Sequence, residues 1–340
     1  MLLELSSFTQ KDTSFQLDKP VFEYLKKYCV SGKLVRGSVF LAFLDMLSVS
    51  EKTISSEARL TMAACIELFG SGVLIQDDIM DGDTKRRGLA TVHTWLAEYG
   101  KTHAIVEPKK WGESVAICFT DTVFFYTSMR LSQLPVPPEL LEKITTYSFR
   151  ELALLGMAQA EDLRQAGSTE FPNQAEILRM FVGKTGRYTA RWPLALALLV
   201  AGGSEEQLQQ VEDIAEKIGV LYQIRDDFLG VFGDSSLTGK NTTSDIREGK
   251  KTLYAQYFFA HATTEKKEHA RRIFGVSSAS ESECQWFVAE LKQLGAEAAI
   301  EVITQHFVRD ITLLIEHLDV PEQARQFLLG FTTYAYTRTK

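Results

Sequence analysis

Apolar residues recur at intervals of three and four along most of this 340-residue chain, and this spacing constrains its fold more than any other feature. In the segment from Leu60 to Ile75, for example, Ala63, Ala64 and Leu68 follow the repeat. Such intervals place side chains on one face of an α-helix, whereas half-buried strands alternate with period two. No sustained period-two stretch occurs in the sequence. The pattern therefore predicts an all-α protein.

Five segments interrupt the helical pattern and predict loops, because Gly, Pro, Ser, Thr and charged residues concentrate there. None is long or biased enough to be an interdomain linker, and no repeat of fixed period is present. We therefore expect a single domain over residues 1–340. The segments are Lys101–Gly112, Leu134–Pro138, Ala166–Asn173, Gly233–Gly249 and Gly275–Ser282.

Charge and composition exclude several classes of protein. The formal net charge of -7 argues against a nucleic-acid-binding surface. The N-terminus lacks the basic start and apolar stretch of a secretory signal. The longest apolar run, Trp192–Ala201, is shorter than the ~20 residues of a membrane span and predicts a buried helix. The cysteines lie far apart and suggest reduced thiols. We expect a cytoplasmic protein without a transmembrane segment. The cysteines are Cys29, Cys65, Cys118 and Cys284.

The first of two acidic clusters, Asp77-Asp78-Ile79-Met80-Asp81, ends an apolar helical stretch. On a helix, Asp77 and Asp81 stand one turn apart on the same face. Carboxylates this close repel each other unless a cation lies between them, and oxygen ligands of this kind suit magnesium. A solvated acidic helix end explains this cluster equally well when it is taken alone.

The second cluster is Asp226-Asp227, set among the apolar residues Ile224, Phe228 and Leu229. Unpaired charge is costly in apolar surroundings, so a metal or ligand is needed to account for it. The two clusters lie about 150 residues apart in the chain. They could face each other across a helical bundle and bind a polyphosphate through cations.

Basic residues in short polar segments are candidate phosphate contacts. Arg86 and Arg87 follow the first cluster, and a guanidinium group can donate two hydrogen bonds to phosphate oxygens. Charge balance inside the acidic cluster is the alternative role. No GxxxxGK[ST] nucleotide-binding loop is present. Other basic residues follow a glycine, which is a weak signal for each alone: Lys33, Lys184, Lys240 and Lys250.

The order of these segments resembles the trans-isoprenyl diphosphate synthases, the farnesyl and geranylgeranyl diphosphate synthase family. The resemblance spans about residues 30 to 255. It implies an antiparallel helical bundle around a central cavity, the isoprenoid synthase fold, usually as a homodimer. The matching segments are GlyLysLeuValArg, AspAspIleMetAsp, ArgArgGly, LysThr, GlnIleArgAspAsp, GlyLys and AspIleArgGluGlyLysLys.

The resemblance also implies roles for individual residues. The ligands of three magnesium ions that bind an allylic diphosphate are Asp77, Asp78, Asp81, Asp226 and Asp227. Further contacts to that diphosphate are Arg86, Lys184 and Lys240. The site for isopentenyl diphosphate comprises Lys33, Arg36 and Arg87. Residues at the reaction centre are Thr185 and Gln223, with Tyr188 also contacting substrate. A segment that closes over the diphosphates contains Asp245 and Lys250.

The implied activity is the head-to-tail condensation of isopentenyl diphosphate with dimethylallyl, geranyl or farnesyl diphosphate. One alternative is a lyase of the same fold that cyclises an allylic diphosphate. Lys33, Arg36 and Arg87 argue against it, because a lyase needs no second diphosphate site. The other alternative is a non-catalytic partner subunit, against which the intact first cluster argues.

Three glycines depart from the family pattern. Gly230 stands at the third acidic position of the second motif, so metal binding there is expected to rest mainly on Asp226. Gly70 stands where His or Gln is usual, and Gly37 where Pro is common. The latter two are expected to weaken the isopentenyl site slightly, and Gly70 favours the lyase alternative.

Product length is predicted from the residues that precede the first cluster on its helix. In the family, bulky residues four or five positions before Asp77 form the floor of the cavity, and this chain has Val73 and Gly72 there. We expect a product longer than fifteen carbons, with geranylgeranyl diphosphate favoured. Close helix packing at Gly72 is the alternative reason for the glycine. Phe124 or Phe125 could form a deeper floor.

Overall fold

The computed structural model describes Leu5 and residues 19–49, 54–233 and 243–339. In these ranges, helices are joined by short loops, and one two-stranded ribbon interrupts them. The predicted all-α class is confirmed. No disulfide joins the four cysteines, all of which lie within the described ranges.

The chain forms two compact units, one comprising residues 1–42 and 49–147 and the other residues 43–48 and 148–340. Helices α2 and α6 contribute residues to both units. The single domain expected from the sequence stays a prediction. The helices that begin in the first unit are α1 (Lys19–Val30), α2 (Val35–Met46), α3 (Ser56–Asp81), α4 (Val92–Thr102), α5 (Pro108–Ser132) and α6 (Pro138–Ala166).

Helix α3 is the long central helix of the first unit and has clear signals at both ends. Ser55 begins it, because the Ser55 side chain accepts a hydrogen bond from the Ala58 backbone at 3.2 Å. Gly82 ends it in a left-handed conformation, with φ at 71°, which glycine adopts without steric cost. The helix therefore stops directly after Asp81.

Helix α3 packs against α5, which also packs against α4. The core they share contains Leu68, Ile75, Leu96 and Val123. By length and composition α3 could cross a membrane, but 67% of its most apolar stretch is buried inside the protein. This burial is what a core helix shows.

A short ribbon follows α3, with β1 (Lys85–Arg86) antiparallel to β2 (Leu89–Ala90). Arg87 and Gly88 form its turn, and both have positive φ, at 54° and 75°. Two-residue hairpin turns of this kind require positive φ at both positions. The turn therefore holds Arg87 at its tip.

The second unit contains the remaining helices, and its core is rich in aromatic rings such as Phe258 and Phe287. The predicted buried helix after Trp192 is confirmed, since nearly all of its residues are buried. Its elements after α6 are α7 (Gln174–Phe181), a π-helix (Val182–Arg191), α8 (Trp192–Val200), α9 (Glu205–Phe232), α10 (Ser244–Glu248), α11 (Leu253–His261), α12 (Thr264–Ala270), α13 (Glu281–Gln293), α14 (Ala296–Glu316) and α15 (Glu322–Thr337).

Helix α9 organises the second unit and packs against the π-helix. Ser204 begins α9 through a reciprocal cap with Gln207. Gly219 of α9 lies directly on the backbone of Gly186, so a Cβ atom at position 219 would overlap the π-helix. This close approach fixes the π-helix beside the part of α9 that carries the second acidic cluster.

Candidate active site

The first acidic cluster occupies the last turns of α3. Asp77 and Asp81 are partly accessible and lie one turn apart, as their spacing predicts. Asp78 is fully buried. The three aspartates therefore differ in their surroundings: Asp77 and Asp81 are partly exposed to solvent, whereas the carboxylate of Asp78 is buried in contacts within the unit.

Asp78 accepts hydrogen bonds through both carboxylate oxygens. The Tyr28 hydroxyl donates to Oδ2 at 2.5 Å, and the Arg86 guanidinium donates to Oδ1. Burial raises the pKa of Asp78, and the charge of Arg86 opposes that rise. Burial likewise raises the pKa of Tyr28, ahead of the effect of Asp78. The result is a satisfied, buried anchor for the end of α3.

Arg86 reaches further acidic groups from the ribbon. Its Nη2 atom lies 3.2 Å from Asp83 Oδ2 and 3.6 Å from Asp77 Oδ2. The side chain is only 11% exposed. This geometry matches the charge-balancing role weighed in the sequence, and the role of Arg86 as a diphosphate contact stays a prediction.

Arg87, in the turn of the ribbon, makes a different contact from that of Arg86. Its guanidinium lies against Gly32, where a Cβ atom would overlap it. Arg87 is exposed, as is Lys33, the residue that follows Gly32. The structure thus brings two of the three residues predicted for isopentenyl diphosphate to one place.

The third residue, Arg36, packs beside Gly70, where a Cβ atom would lie 3.5 Å from Arg36 Cδ. The neighbouring Gly37 donates its backbone N–H to Glu67 Oε1 at 2.6 Å. A proline at position 37 could not make this bond. Gly37 therefore has a local structural cause, whereas a Cβ atom at position 70 would meet Arg36 only at ordinary contact distance, and Arg36 is retained beside both glycines.

The second acidic cluster lies near the end of α9. The Asp226 side chain is 47% exposed, and the guanidinium of Arg338 donates to its Oδ1 atom. Arg338 also donates to the Tyr222 carbonyl at 3.2 Å and covers the Tyr222 ring at 3.8 Å. Its own carbonyl accepts from Arg225 Nε at 2.6 Å. Arg338 is thus the protein's own cation at Asp226.

Asp227 is buried, at 4% exposure, and is only half satisfied. Its Oδ1 atom accepts from Gln223 Nε2 at 2.8 Å, and Gln223 Oε1 accepts from the Thr185 hydroxyl at 2.5 Å. Its Oδ2 atom has no hydrogen-bond partner among the described residues. Burial raises the pKa of Asp227 well above its ordinary value, and the charge of Asp245 raises it further.

Asp245 approaches the second cluster from α10. Its carboxylate covers Gly230, so a Cβ atom there would overlap Asp245 Oδ2. Lys250 Nζ lies 3.5 Å from Asp245 Oδ1 and 2.8 Å from Glu248 Oε2. Two predicted residues of the closing segment therefore lie close together. Lys240, which was predicted to contact the allylic diphosphate, lies outside the described residues.

The π-helix carries three predicted site residues. Thr185 is buried, and Lys184 and Tyr188 are half-buried. Lys184 Nζ forms an ion pair with Asp162 Oδ2 at 2.7 Å. Helices with π hydrogen bonding are rare and often occur at functional sites. The role of each of these residues stays a prediction.

Several residues at the two clusters were missed by reasoning from the sequence. Tyr28 and Arg338 contact aspartates that lie 50 and 112 residues away in the chain. Glu151 is buried and pairs with Arg187 of the π-helix at 2.8 Å. Asp162 is the partner of Lys184. No local motif marks any of them, because each is defined only by a contact between distant segments.

The carboxylate oxygens of the two clusters are ligands of the kind that magnesium prefers. Asp227 Oδ2 is a buried oxygen without a partner among the described residues, and such an atom is stabilised by a cation. Across the described ranges, no three His, Cys, Asp or Glu side chains already form a complete cation site. Magnesium commonly uses one or two carboxylates and takes water and phosphate oxygens as its other ligands. The donors therefore suit a metal that arrives with a diphosphate.

The polyprenyl synthetase family model matches residues 18–291. A geranylgeranyl diphosphate synthase of Sulfolobus acidocaldarius is 28% identical over 274 residues, 79% of this chain and 78% of that protein. A farnesyl pyrophosphate synthase of Bos taurus is 26% identical, over 94% of this chain and 87% of its own length.

Among solved structures, a geranylgeranyl pyrophosphate synthase from Corynebacterium glutamicum, complexed with isoprenyl diphosphate and magnesium, superposes with a TM-score of 0.88. It is 25% identical, and the match covers 99% of this chain and 96% of that one. The fold and family predicted from the sequence are both confirmed. This chain is a member of the polyprenyl synthetase family.

Proposed function

We propose that the protein is a prenyltransferase that condenses isopentenyl diphosphate head to tail with an allylic diphosphate. Family membership supports this function. The observation that carries it is the presence, in one chain, of two aspartate clusters and a separate basic group. The basic residues are Lys33, Arg36 and Arg87, and they are proposed to form the second diphosphate site that this reaction needs.

Each aspartate cluster is proposed as a magnesium-binding element for the allylic diphosphate, with three ions in total. Asp77, Asp81 and Asp226 have accessible carboxylate oxygens, and Asp227 has a buried one. When bound, magnesium neutralises the negative charge that builds on the departing diphosphate. Asp78 is proposed to act mainly by holding Tyr28 and Arg86 in place.

The reaction breaks the allylic C–O bond, and the electron pair leaves with the diphosphate. The double bond of isopentenyl diphosphate attacks the allylic cation, forming a C–C bond, and the proton then lost passes to the released diphosphate. Lys184 and Lys240 are proposed to contact that diphosphate. Lys240 lies outside the described residues. Thr185 and Gln223 are proposed to stabilise the cation, because Thr185 and Asp227 together fix the orientation of the Gln223 amide.

The basic group favours condensation over the lyase alternative. Arg36 packs beside Gly70, so the glycine that pointed towards a lyase is accommodated without loss of the arginine. Arg87 lies against Gly32 and next to Lys33. The three cations are all retained, and a lyase would have no use for them. The intact Asp77-Asp78-Asp81 set in turn argues against a non-catalytic subunit.

We propose geranylgeranyl diphosphate as the main product, with Phe124 setting its length. The Phe124 ring lies over Gly72, where a Cβ atom would lie 2.7 Å from Phe124 Cε1, and it packs on Phe69 at 4.5 Å. Phe125 is 76% exposed and does not share this position. A Gly72→Phe change is expected to shorten the product, but it must also displace Phe124.

The product-length proposal is tested with Phe124→Ala. Removing the ring opens space beside Gly72, so we expect the main product to lengthen by one isoprene unit or more, as read by mass spectrometry. Leu313→Ala is the matched control, since Leu313 is an apolar side chain exposed at 56% on α14. Unchanged products from Phe124→Ala would show that the floor lies elsewhere.

We further propose a cytoplasmic homodimer. Helix α5 exposes Ile117 at 44% and Phe125 at 76%, and exposed apolar groups of this size are typical of surfaces that bind another protein. Light scattering on the purified protein tests the dimer. A monomer at micromolar concentration would contradict it.

The proposed activity is tested by incubating the protein with magnesium, isopentenyl diphosphate and each of dimethylallyl, geranyl and farnesyl diphosphate. Longer prenyl diphosphates are the expected products. Cyclic or rearranged hydrocarbons formed from the allylic substrate alone would instead identify a lyase. No turnover with any primer would indicate a non-catalytic subunit.

A further inference from the structure

The two acidic clusters differ at one position of the helix that carries them. In α3, Asp81 stands one turn after Asp77, whereas in α9 the residue one turn after Asp226 is Gly230. The carboxylate of Asp245 occupies the space beside Gly230 where a side chain would lie. The Asp245 Cγ atom lies 3.1 Å from where a Cβ atom on Gly230 would be, and its Oδ2 atom lies closer still.

A second observation at this place points to a cation. Asp227, three residues before Gly230, is 4% exposed, and its Oδ2 atom has no partner within the ranges that the structure describes. Asp227 lies within one helical turn of Gly230, so the carboxylate of Asp245 covers the same turn of α9. Among the described residues, Lys250 pairs with Asp245 and also with Glu248. Two carboxylates that repel each other, one of them half satisfied, are stabilised by a divalent ion.

We propose that Asp245 is a magnesium ligand of the second cluster and supplies from α10 the carboxylate that α9 lacks at position 230. Gly230 permits this arrangement, since any side chain there would displace Asp245. Asp227 and Asp245 provide the protein oxygens, and water and diphosphate oxygens complete the shell. The inference rests on the proposed function, because the ion arrives with a diphosphate substrate.

The test measures Mn²⁺ bound to the protein by electron paramagnetic resonance, with inorganic pyrophosphate present and a protein-free control at the same concentrations. The variants are Asp245→Asn, Asp245→Ala and the double variant Gly230→Asp/Asp245→Ala, in which the lost side chain makes room for a carboxylate on α9. Asp213→Asn, which lies on α9 and is paired with Lys217, is the matched control. Melting without metal establishes that each variant is folded.

Both single changes at Asp245 are expected to weaken Mn²⁺ binding about tenfold or more, as loss of a group at a metal site commonly does. The double variant is expected to recover most of the affinity, and Asp213→Asn to match the wild type. Wild-type affinity in Asp245→Asn would overturn the proposal, as would a double variant no better than Asp245→Ala. Since binding is measured without turnover, an inactive wild type in the condensation assay would contradict the proposed function alone.

Discussion

The second aspartates of the two clusters, Asp78 and Asp227, occupy the same sequence position but opposite electrostatic situations. Both are buried, and burial raises the pKa of both. Asp78 is fully satisfied by Tyr28 and Arg86, whereas Asp227 has one oxygen without a partner among the described residues and a repelling neighbour in Asp245. Asp78 is therefore satisfied without metal, and Asp227 is not. The second position of the motif thus stabilises the fold in the first cluster and leaves an oxygen for a ligand in the second.

The largest expected effect is the loss of turnover when an accessible aspartate of either cluster is removed. Asp77→Ala and Asp226→Ala are each expected to lower kcat by about 10³-fold or more, because a group that stabilises charge in the transition state is lost. Steady-state kinetics with saturating magnesium measures this. Near-normal activity in either variant at low magnesium would contradict a metal-binding role for that cluster.

The contrast between Asp78 and Asp227 predicts opposite effects on stability in the absence of metal. Asp78→Ala is expected to lower the free energy of unfolding by about 3 kcal/mol, since it leaves the buried Arg86 without its main partner. Asp227→Asn is expected to preserve or raise stability, because the new amide can donate to Asp245. Urea unfolding in the presence of a chelator compares them. Equal losses in both variants would remove the distinction between the clusters.

The pH dependence of the free energy of unfolding tests the same contrast between Asp78 and Asp227. The folded-state pKa of Asp227 is raised, so its contribution to stability is fully present below the ordinary value of about 3.9 and is lost as pH rises through the folded pKa. The advantage of Asp227→Asn over the wild type should therefore grow from about pH 4 upwards. A pH-independent difference in the free energy of unfolding would show that the pKa of Asp227 is the same in the folded and the unfolded protein.

A smaller effect separates the two arginines beside the first cluster. Arg87→Ala is expected to raise KM for isopentenyl diphosphate by a factor equivalent to about 1.5 to 3 kcal/mol, with little change for the allylic substrate. Arg86→Ala should act mainly through stability, because Arg86 balances Asp78 and Asp83. Arg309→Ala, an exposed arginine on α14, serves as the control. Equal effects of Arg87→Ala on both substrates would contradict this division.

The smallest expected effect concerns Arg338, which pairs with Asp226 in the second cluster. A metal at Asp226 must displace this guanidinium, so Arg338→Ala should bind Mn²⁺ a few-fold more tightly, about 1 kcal/mol. In the first cluster, Arg86 also lies 3.6 Å from Asp77 Oδ2, but it mainly holds the buried Asp78. Weaker binding in Arg338→Ala would show that Arg338 orients Asp226 instead of competing for it.

The helices, the buried segment after Trp192 and both acidic clusters were predictable, because each depends on neighbours within one or two turns of the chain. The contacts that surround the aspartates of each cluster were not predictable. Tyr28 determines the environment of Asp78 from another helix, and Asp245 reaches Gly230 from α10. Sequence spacing does not encode these contacts. The π-helix was likewise missed, since its apolar pattern differs little from that of an α-helix.

The π-helix also restricts where residues can be inserted into the chain or deleted from it. It places Thr185 against Gln223 and Gly186 against Gly219, and both contacts depend on the wider turn of the segment Val182–Arg191. Deleting one residue there would change the helical winding and put the residues that follow out of register with α9. Arg191 would then leave Glu212, with which it pairs at 2.9 Å. Insertions and deletions should therefore be tolerated in the loops between helices and excluded from these ten residues.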